Sequence, residues 1–385
     1  VEVKKAHLYC PTVFVPPNLP TPMNVQTLDQ QETLSPFDRR KFLSTLLAGA
    51  GGAALQMSGG NALGALATTA KAVSPTHDYF YGMNGHLAWT SGLLSLVSPA
   101  TQLTLLKDLG VTCYRCDVAD GGMASILALA LDTTFADAGV AILPVLNPMS
   151  ANWDSNSSES AAYQLGYDLA VRCTKPLAGR VRYIECGNEL DVSLKTGGDG
   201  SNFYNWDAGQ WPSFRGAIRG MIDGVKSVDA SINCGVNVGI PLAYGALQML
   251  WNGISPNGTA SGRSGASYLR WDFTTYHWYH SSGDIQCGWK DGACVDVLQI
   301  LKDSFGKPIW LTEWGWTGGK DYGQDAADYV TTALTQYRSL KDKYDIQSVM
   351  MYSLIDSRYG LIKPGDMVKN PAYSAFKNFV ASNPV

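Results

Sequence analysis

From Tyr79 onward, short runs of apolar, β-branched and aromatic residues alternate with longer stretches of helical pattern. The runs lie at 79–84, 111–118, 140–147, 182–188, 233–239, 271–279, 307–313 and 346–353. Most are nearly continuous in apolar residues, as strands of a parallel sheet covered on both faces are. Helical patterns separate them. Ser98-Pro99 opens one, a hydroxyl N-cap followed by proline at the first helical position. Another spans 124–138 and closes on Gly139; the rest are 159–175, 208–228, 242–252, 294–305, 324–343 and 371–381. This strict alternation predicts an α/β fold, a single (β/α)8 TIM barrel. An open doubly wound sheet is the alternative, but no Gly-x-Gly-x-x-Gly follows the first strand. No linker or solenoid repeat divides the chain, so residues 73–385 are expected to form one domain.

Residues 1–72 read differently. Arg39-Arg40-Lys41-Phe42-Leu43 leads into a mildly apolar run rich in Ala and Gly. A twin arginine before such a run is the pattern of a twin-arginine export leader, recognised by the export machinery. The run is shorter than the roughly 20 residues a membrane span needs, so no permanent anchor is expected. Small-residue patterns at Ala65-Leu66-Ala67 and Ala70-Lys71-Ala72 offer cleavage sites. The proline-rich segment before Arg39 shows no periodicity, and Met23 is the expected true start. The mature protein is then periplasmic or secreted.

Composition narrows the partners. Of 385 residues, 45% are hydrophobic and only 16% charged, which fits a folded chain and not a disordered one. The net charge is −4 and no basic stripe exists, which argues against nucleic acid. The 11 Trp and 19 Tyr suit either an aromatic core or platforms on which sugar rings stack. There are eight cysteines. With Cys10 in the leader, Cys113, Cys116, Cys173, Cys186, Cys234, Cys287 and Cys294 remain, an odd set. Cys287 and Cys294 flank a Gly-rich turn and are the expected disulfide, formed after export. The others read as buried thiols, with Cys113 and Cys116 on opposite faces of one strand.

Active sites of such barrels sit at the carboxyl ends of the strands. Two strands end in glutamate. The fourth runs Ile184-Glu185-Cys186-Gly187-Asn188-Glu189 and the seventh Trp310-Leu311-Thr312-Glu313-Trp314. Acetal cleavage needs such a pair: one carboxyl protonated to donate to the leaving oxygen, the other charged to attack carbon or activate water. Different surroundings separate their pKa values.

These ends resemble the clan A glycoside hydrolases, and the nearest look is to family 39 and related bacterial glycosidases, some of which act on exopolysaccharides. The resemblance covers roughly residues 79–380. It rests on Asn188-Glu189, Thr312-Glu313-Trp314-Gly315, Gly82-Met83-Asn84-Gly85-His86, Arg115, and His277-Trp278-Tyr279. Gly360-Leu361 and Asn370-Pro371-Ala372-Tyr373 match the ending that closes the barrel. It implies a retaining glycosidase that needs no cofactor, with Glu189 as acid/base and Glu313 as nucleophile. Asn188 then holds the sugar 2-hydroxyl, and Tyr279 or His277 orients the nucleophile. Relatives carry Trp near the end of strand eight as the sugar's floor, whereas this chain has Tyr352; Trp314 or Trp316 is expected to substitute.

Glu185 shares parity with Glu189 and is expected one layer deeper, paired with Arg115. His86, His277 and His280 show no metal-ligand spacing, so no metal is expected, and His86 and His277 read as polar subsite residues. The loops at 192–212, with Trp206, and 149–158, with Trp153, mix aromatic and amide side chains as a sugar-lined groove does. Two rival readings are a non-catalytic carbohydrate-binding barrel and a lyase or aldolase. The second lacks a strand-end lysine, since Lys307 and Lys363 lie at the wrong ends of their segments.

Overall fold

Each of the eight apolar runs supplies one strand of a closed parallel barrel in the computed structural model, which describes residues 78–91, 93–256, 269–319 and 322–385. The arginine pair, Met23 and the rest of the expected 1–72 leader lie outside the described residues. The barrel strands are β1 (Tyr81–Gly85), β2 (Cys113–Val118), β3 (Ala141–Leu146), β4 (Tyr183–Cys186), β5 (Asn233–Val236), β6 (Phe273–His277), β9 (Ile309–Trp314) and β10 (Ile346–Met351). A small antiparallel hairpin, β7 (Gly288–Lys290) and β8 (Ala293–Val295), stands apart from them. The barrel order is β1-β10-β9-β6-β5-β4-β3-β2, and β1 pairs with β2 to close it.

Eight α-helices are present among the described residues: α1 (Pro99–Leu109), α2 (Gly121–Asp132), α3 (Glu159–Leu177), α4 (Trp211–Val228), α5 (Tyr244–Asn252), α6 (Val297–Phe305), α7 (Gln324–Tyr344) and α8 (Pro371–Ser382). Ser98 caps α1 through the Thr101 amide, and Gly110 ends it in the left-handed region, as the sequence expects. Helix α2 starts earlier than the expected 124, because the Asp120 side chain accepts the Met123 amide and tolerates two glycines in the first turn. It also stops at Asp132 and not at 138. The expected helix at 294–305 begins only at Val297, since Cys294 belongs to the hairpin and Asp296 is the N-cap. Helices α3 and α4 pack unusually close. A Cβ at Gly216, Gly220 or Gly224 would lie within 2.3, 2.1 or 2.6 Å of the carbonyl oxygens of Glu159, Tyr163 and Tyr167. No helix among the described residues is long and apolar enough to cross a membrane.

The barrel interior is layered. Toward the amino ends of the strands, Tyr79, Tyr183, Phe273 and Trp310 form an aromatic plug, with ring centroids 4.7 Å apart for Tyr183–Trp310 and 4.8 Å for Phe273–Trp310. Cys113, Leu143 and Met350 complete it. Cys116 faces the opposite way, into the core between strands and helices, as strand parity requires. One residue pair further along, the interior turns polar.

Candidate active site

Arg115 is the hub of the polar layer. It lies on β2, two residues beyond Cys113, so period-two alternation aims it inward just above the plug. Its Nε donates to Glu185 Oε2 at 2.5 Å, and the NH1 nitrogen donates to Glu313 Oε1 at 2.5 Å and to Asn84 Oδ1 at 2.8 Å. The NH2 nitrogen donates to Asn188 Oδ1 at 2.6 Å. A buried guanidinium with each nitrogen engaged has one permitted orientation. The expected Arg115–Glu185 pair is therefore present, and the same arginine also reaches Glu313. Glu185 is further held by Thr312 Oγ1 and Asn237 Nδ2, each at 2.8 Å.

Glu189 is not on a strand. β4 ends at Cys186, Gly187 adopts φ 100° and Glu189 itself φ 51°. A left-handed glutamate costs of order 1 kcal/mol and persists only where partners fix it. Asn237 is that partner: its Oδ1 accepts the Glu189 amide at 2.8 Å, and its Nδ2 donates to the Gly187 carbonyl at 2.8 Å. Below, the fully buried Asp191 accepts the amides of Gly239 at 2.8 Å and Ile240 at 3.2 Å. This pins the loop after β5 against Glu189.

Glu313 reaches the interior by a different irregularity. Opposite β9, Tyr276 pairs with Leu311 but His277 pairs with Glu313, a register shift of one residue. The shift lets both Thr312 and Glu313 point inward, where simple alternation admits one. Tyr279 then donates its phenol to Glu313 Oε2 at 2.6 Å. His277 Nδ1 lies 2.7 Å from Glu189 Oε1 and 3.7 Å from Glu313 Oε2. One carboxylate oxygen of Glu189, one of Glu313 and a ring nitrogen of His277 all fall within 4.8 Å of one another. The Glu189 side chain is 34% exposed and that of Glu313 only 7%.

Electrostatics separates the groups. Burial is the largest influence on Glu185 and raises its pKa, but the charges of Arg115 and His277 and the hydrogen bonds of Thr275 and Asn237 together hold the carboxyl below its ordinary value. At Glu189 burial also pushes up, and the hydrogen bond and charge of His277 pull the pKa lower overall. Burial disfavours a charged His277, yet Glu313 and Glu189 raise its pKa above the usual imidazole value. Burial, then the Glu313 charge, keeps Tyr279 a phenol. The same Glu189, His277 and Glu313 form a donor set of the kind that holds a metal. A guanidinium on Glu313 and a proton favoured on His277 both compete with a cation there.

Further residues frame the mouth. His86 Nδ1 lies 4.0 Å from Asp117 Oδ2, and Asp117, whose pKa burial raises, faces inward two residues beyond Arg115. His86 meets Trp89 and Tyr352 edge-on, at 5.9 and 6.2 Å. The Tyr352–Ser353 peptide is cis. The aromatic expectations fare unevenly. Trp314 turns away from the barrel axis and is fully buried against Tyr337 and Phe376, so it cannot serve as a sugar floor. Alternation after Glu313 explains this: the next side chain points to the helices. Trp206 is buried beside Trp211 beneath its loop, and Trp153 is tied to Ser213 of α4 by its indole nitrogen at 3.0 Å. Trp316 packs over His280, ring centroids 4.2 Å apart, at the rim. The sequence expectations give Asn84 only as part of the Gly82–His86 motif, with no role, and assign none to Asp117 or Asn237, although a two-residue count from Gly82, Arg115 and Gly235 reaches each of them.

The chain matches no protein-family model and no curated protein. Solved structures do resemble it. The virulence factor SghA from Agrobacterium tumefaciens superposes with a TM-score of 0.57 at 15% identity, over 80% of this chain and 98% of that one. The family 1 β-glucosidase from Thermotoga maritima gives 0.55 at 12%, over 80% and 98%. The exo-β-1,4-mannosidase Op5Man5 from Opitutaceae bacterium strain TAV5 gives 0.54 at 16%, over 79% and 59%. At such identities the likeness establishes the TIM-barrel fold.

Proposed function

We propose that this chain is a retaining glycoside hydrolase that cleaves O-glycosidic bonds of an oligo- or polysaccharide. Glu313 is its nucleophile and Glu189 its acid/base. The observation that carries the reading is the carboxylate spacing, within 4.8 Å between one oxygen of each. Retaining enzymes place the two carboxyl groups about 5–5.5 Å apart, and inverting ones about 6.5–9.5 Å. The β-glucosidases and the mannosidase among the structural neighbours, and the clan A and family 39 look of the strand ends, support the same reading.

The two carboxylates are equipped for different work. Glu313 is nearly enclosed, and Arg115 and Tyr279 donate to its two oxygens, which aims an anion at a carbon placed above it. Glu189 is more open, with His277 on one oxygen only. The Glu189–His277 pair titrates as a unit and holds its proton within 2.7 Å of the carboxylate that must deliver it. In the first step Glu313 Oε attacks the anomeric carbon, the glycosidic C–O bond breaks, and the leaving oxygen takes the proton from Glu189. In the second, Glu189 removes a proton from water, which attacks the same carbon and frees Glu313.

Export by the twin-arginine leader belongs to this proposal. It is supported by the sequence pattern and by the Cys287–Cys294 disulfide, which suits an oxidising compartment. The central test is Glu313→Gln and Glu189→Gln on activated aryl glycosides, with product stereochemistry followed by NMR. Each variant is expected to lose about 100-fold or more in kcat, and the wild type to retain configuration. Full activity in both variants refutes the assignment. Glycan binding by a wild type without turnover leaves the carbohydrate-binding barrel instead.

A further inference from the structure

Among the described residues, the large aromatic side chains most open to solvent are Trp89 (41% exposed), Phe203 (46%), Tyr204 (66%) and Trp289 (69%). All four stand on segments that follow the carboxyl ends of barrel strands. Trp89 follows β1, Phe203 and Tyr204 follow β4, and Trp289 follows β6. Among the described residues, no α-helix and no amino-terminal strand end carries one. Open aromatic rings offer flat apolar faces on which a ligand stacks.

Their placement around the mouth is informative. In the barrel order β1 is three strands from β4 in one direction and three from β6 in the other. By strand order, the loop after β1 that carries Trp89 belongs to the side of the barrel opposite the loops after β4 and β6 that carry the other three rings. The rings are also presented by loops that are already ordered. Trp289 sits on the β7–β8 hairpin, clamped at its base by the Cys287–Cys294 disulfide. The hairpin is rooted at Gly288, where a Cβ would meet Leu242 and Val297 at 2.8 and 3.1 Å. Phe203 and Tyr204 sit in a turn whose Asn205 Oδ1 accepts the amides of Gly200 and Asn202, each at 3.1 Å. A ligand meeting these rings incurs little loop-ordering entropy.

Resting on the glycosidase reading, we propose that these two rims are stacking platforms for a glycan chain laid across the mouth. The substrate is then a polymer extending beyond the reacting sugar on both sides, not a small glycoside. Flat rings exposed on both sides of a cleft suit the repeating C–H faces of pyranoses, which bury apolar area while their hydroxyls stay in water.

The test compares Trp289→Ala and a Phe203→Ala/Tyr204→Ala double variant with the wild type. Probes are barley β-glucan, galactomannan and xylan, beside 4-nitrophenyl monoglycosides. Native gel electrophoresis through each polymer reads binding without turnover. The wild type is expected to be retarded by at least one polymer and to hydrolyse it. Each variant should lose about tenfold in kcat/KM on that polymer and much of the retardation, with kcat/KM on the monoglycoside within twofold. Retardation of the wild type by none of the polymers overturns the proposal, as does hydrolysis confined to monoglycosides. Equal losses on both substrate types, or no loss on either, also overturn it. Retardation that depends on these rings in a protein that hydrolyses neither substrate removes the glycosidase reading and leaves the platforms standing.

Discussion

Gly239 leaves no room for a side chain beside Glu189: a Cβ built there lies 2.6 Å from the glutamate's Cδ. The loop after β5 therefore acts as a backstop for the Glu189 carboxyl, the proposed acid/base. Gly239→Ala should push that carboxyl away from His277 and from the leaving oxygen. A misplacement of this size is expected to lower kcat about 100-fold, with an unchanged circular dichroism spectrum. Kinetics within threefold of wild type would remove the backstop role.

Asp191 holds the backstop in place and gives stability a pH dependence. Burial raises its pKa from 3.8 to about 7, although the Gly239 and Ile240 amides favour the anion. Between those two values the folded chain holds a proton that the unfolded chain has released. Stability from this group is therefore full below about pH 4 and declines as pH rises toward about 7, by at most about 1.4 kcal/mol per pH unit. Asp191→Asn, which cannot ionise, is expected to lack this component. Urea melts at pH 4.5 and 7.5 check it: the stability gap between wild type and variant should be smaller at 7.5. A constant gap contradicts the assignment.

Tyr279 is the hydroxyl donor on Glu313 Oε2. Tyr279→Phe keeps the ring and deletes one hydrogen bond to a charged group, a contact of about 1.5–3 kcal/mol. A fall in kcat of about tenfold to 100-fold is expected on an activated aryl glycoside, with KM changed less than kcat. A change confined to KM would assign Tyr279 to substrate binding alone.

Trp314 supplies a contrasting case. Fully buried against Tyr337 and Phe376, it serves the seam between β9 and the outer helices. Trp314→Leu is expected to cost about 3 kcal/mol of unfolding free energy, by analogy with large-to-small core changes. Activity per folded molecule, measured well below the melting temperature, should stay within a few fold. A large kcat loss in a stable variant would return Trp314 to the site.

The barrel and the glutamate pair were legible because both rest on strong local signals. Eight apolar runs at near-regular spacing admit few topologies, and a carboxylate at a strand end stands out against Val, Ile and Trp. The Arg115–Glu185 pair followed from parity and the cost of burying a charge. What stayed hidden depends on departures from regularity. A one-residue register shift brings Thr312 and Glu313 to the same side and sends Trp314 outward, and sequence does not announce it. The left-handed turn at Glu189 relies on Asn237, 48 residues away in the chain, so no local pattern marks it. Trp206 looked like a loop residue, as it is, but the loop folds over it and carries the exposed rings at Phe203 and Tyr204 instead.

The aromatic plug formed by Tyr79, Tyr183, Phe273 and Trp310 fills the barrel toward the amino ends of its strands, so the carboxylates are reached from the other end. On the proposed mechanism, fragment and water use the same doorway in opposite directions. The departing piece must clear before the hydrolytic water can enter, so departure precedes deglycosylation, and a sugar acceptor lingering at the threshold would capture the glycosyl group in place of water.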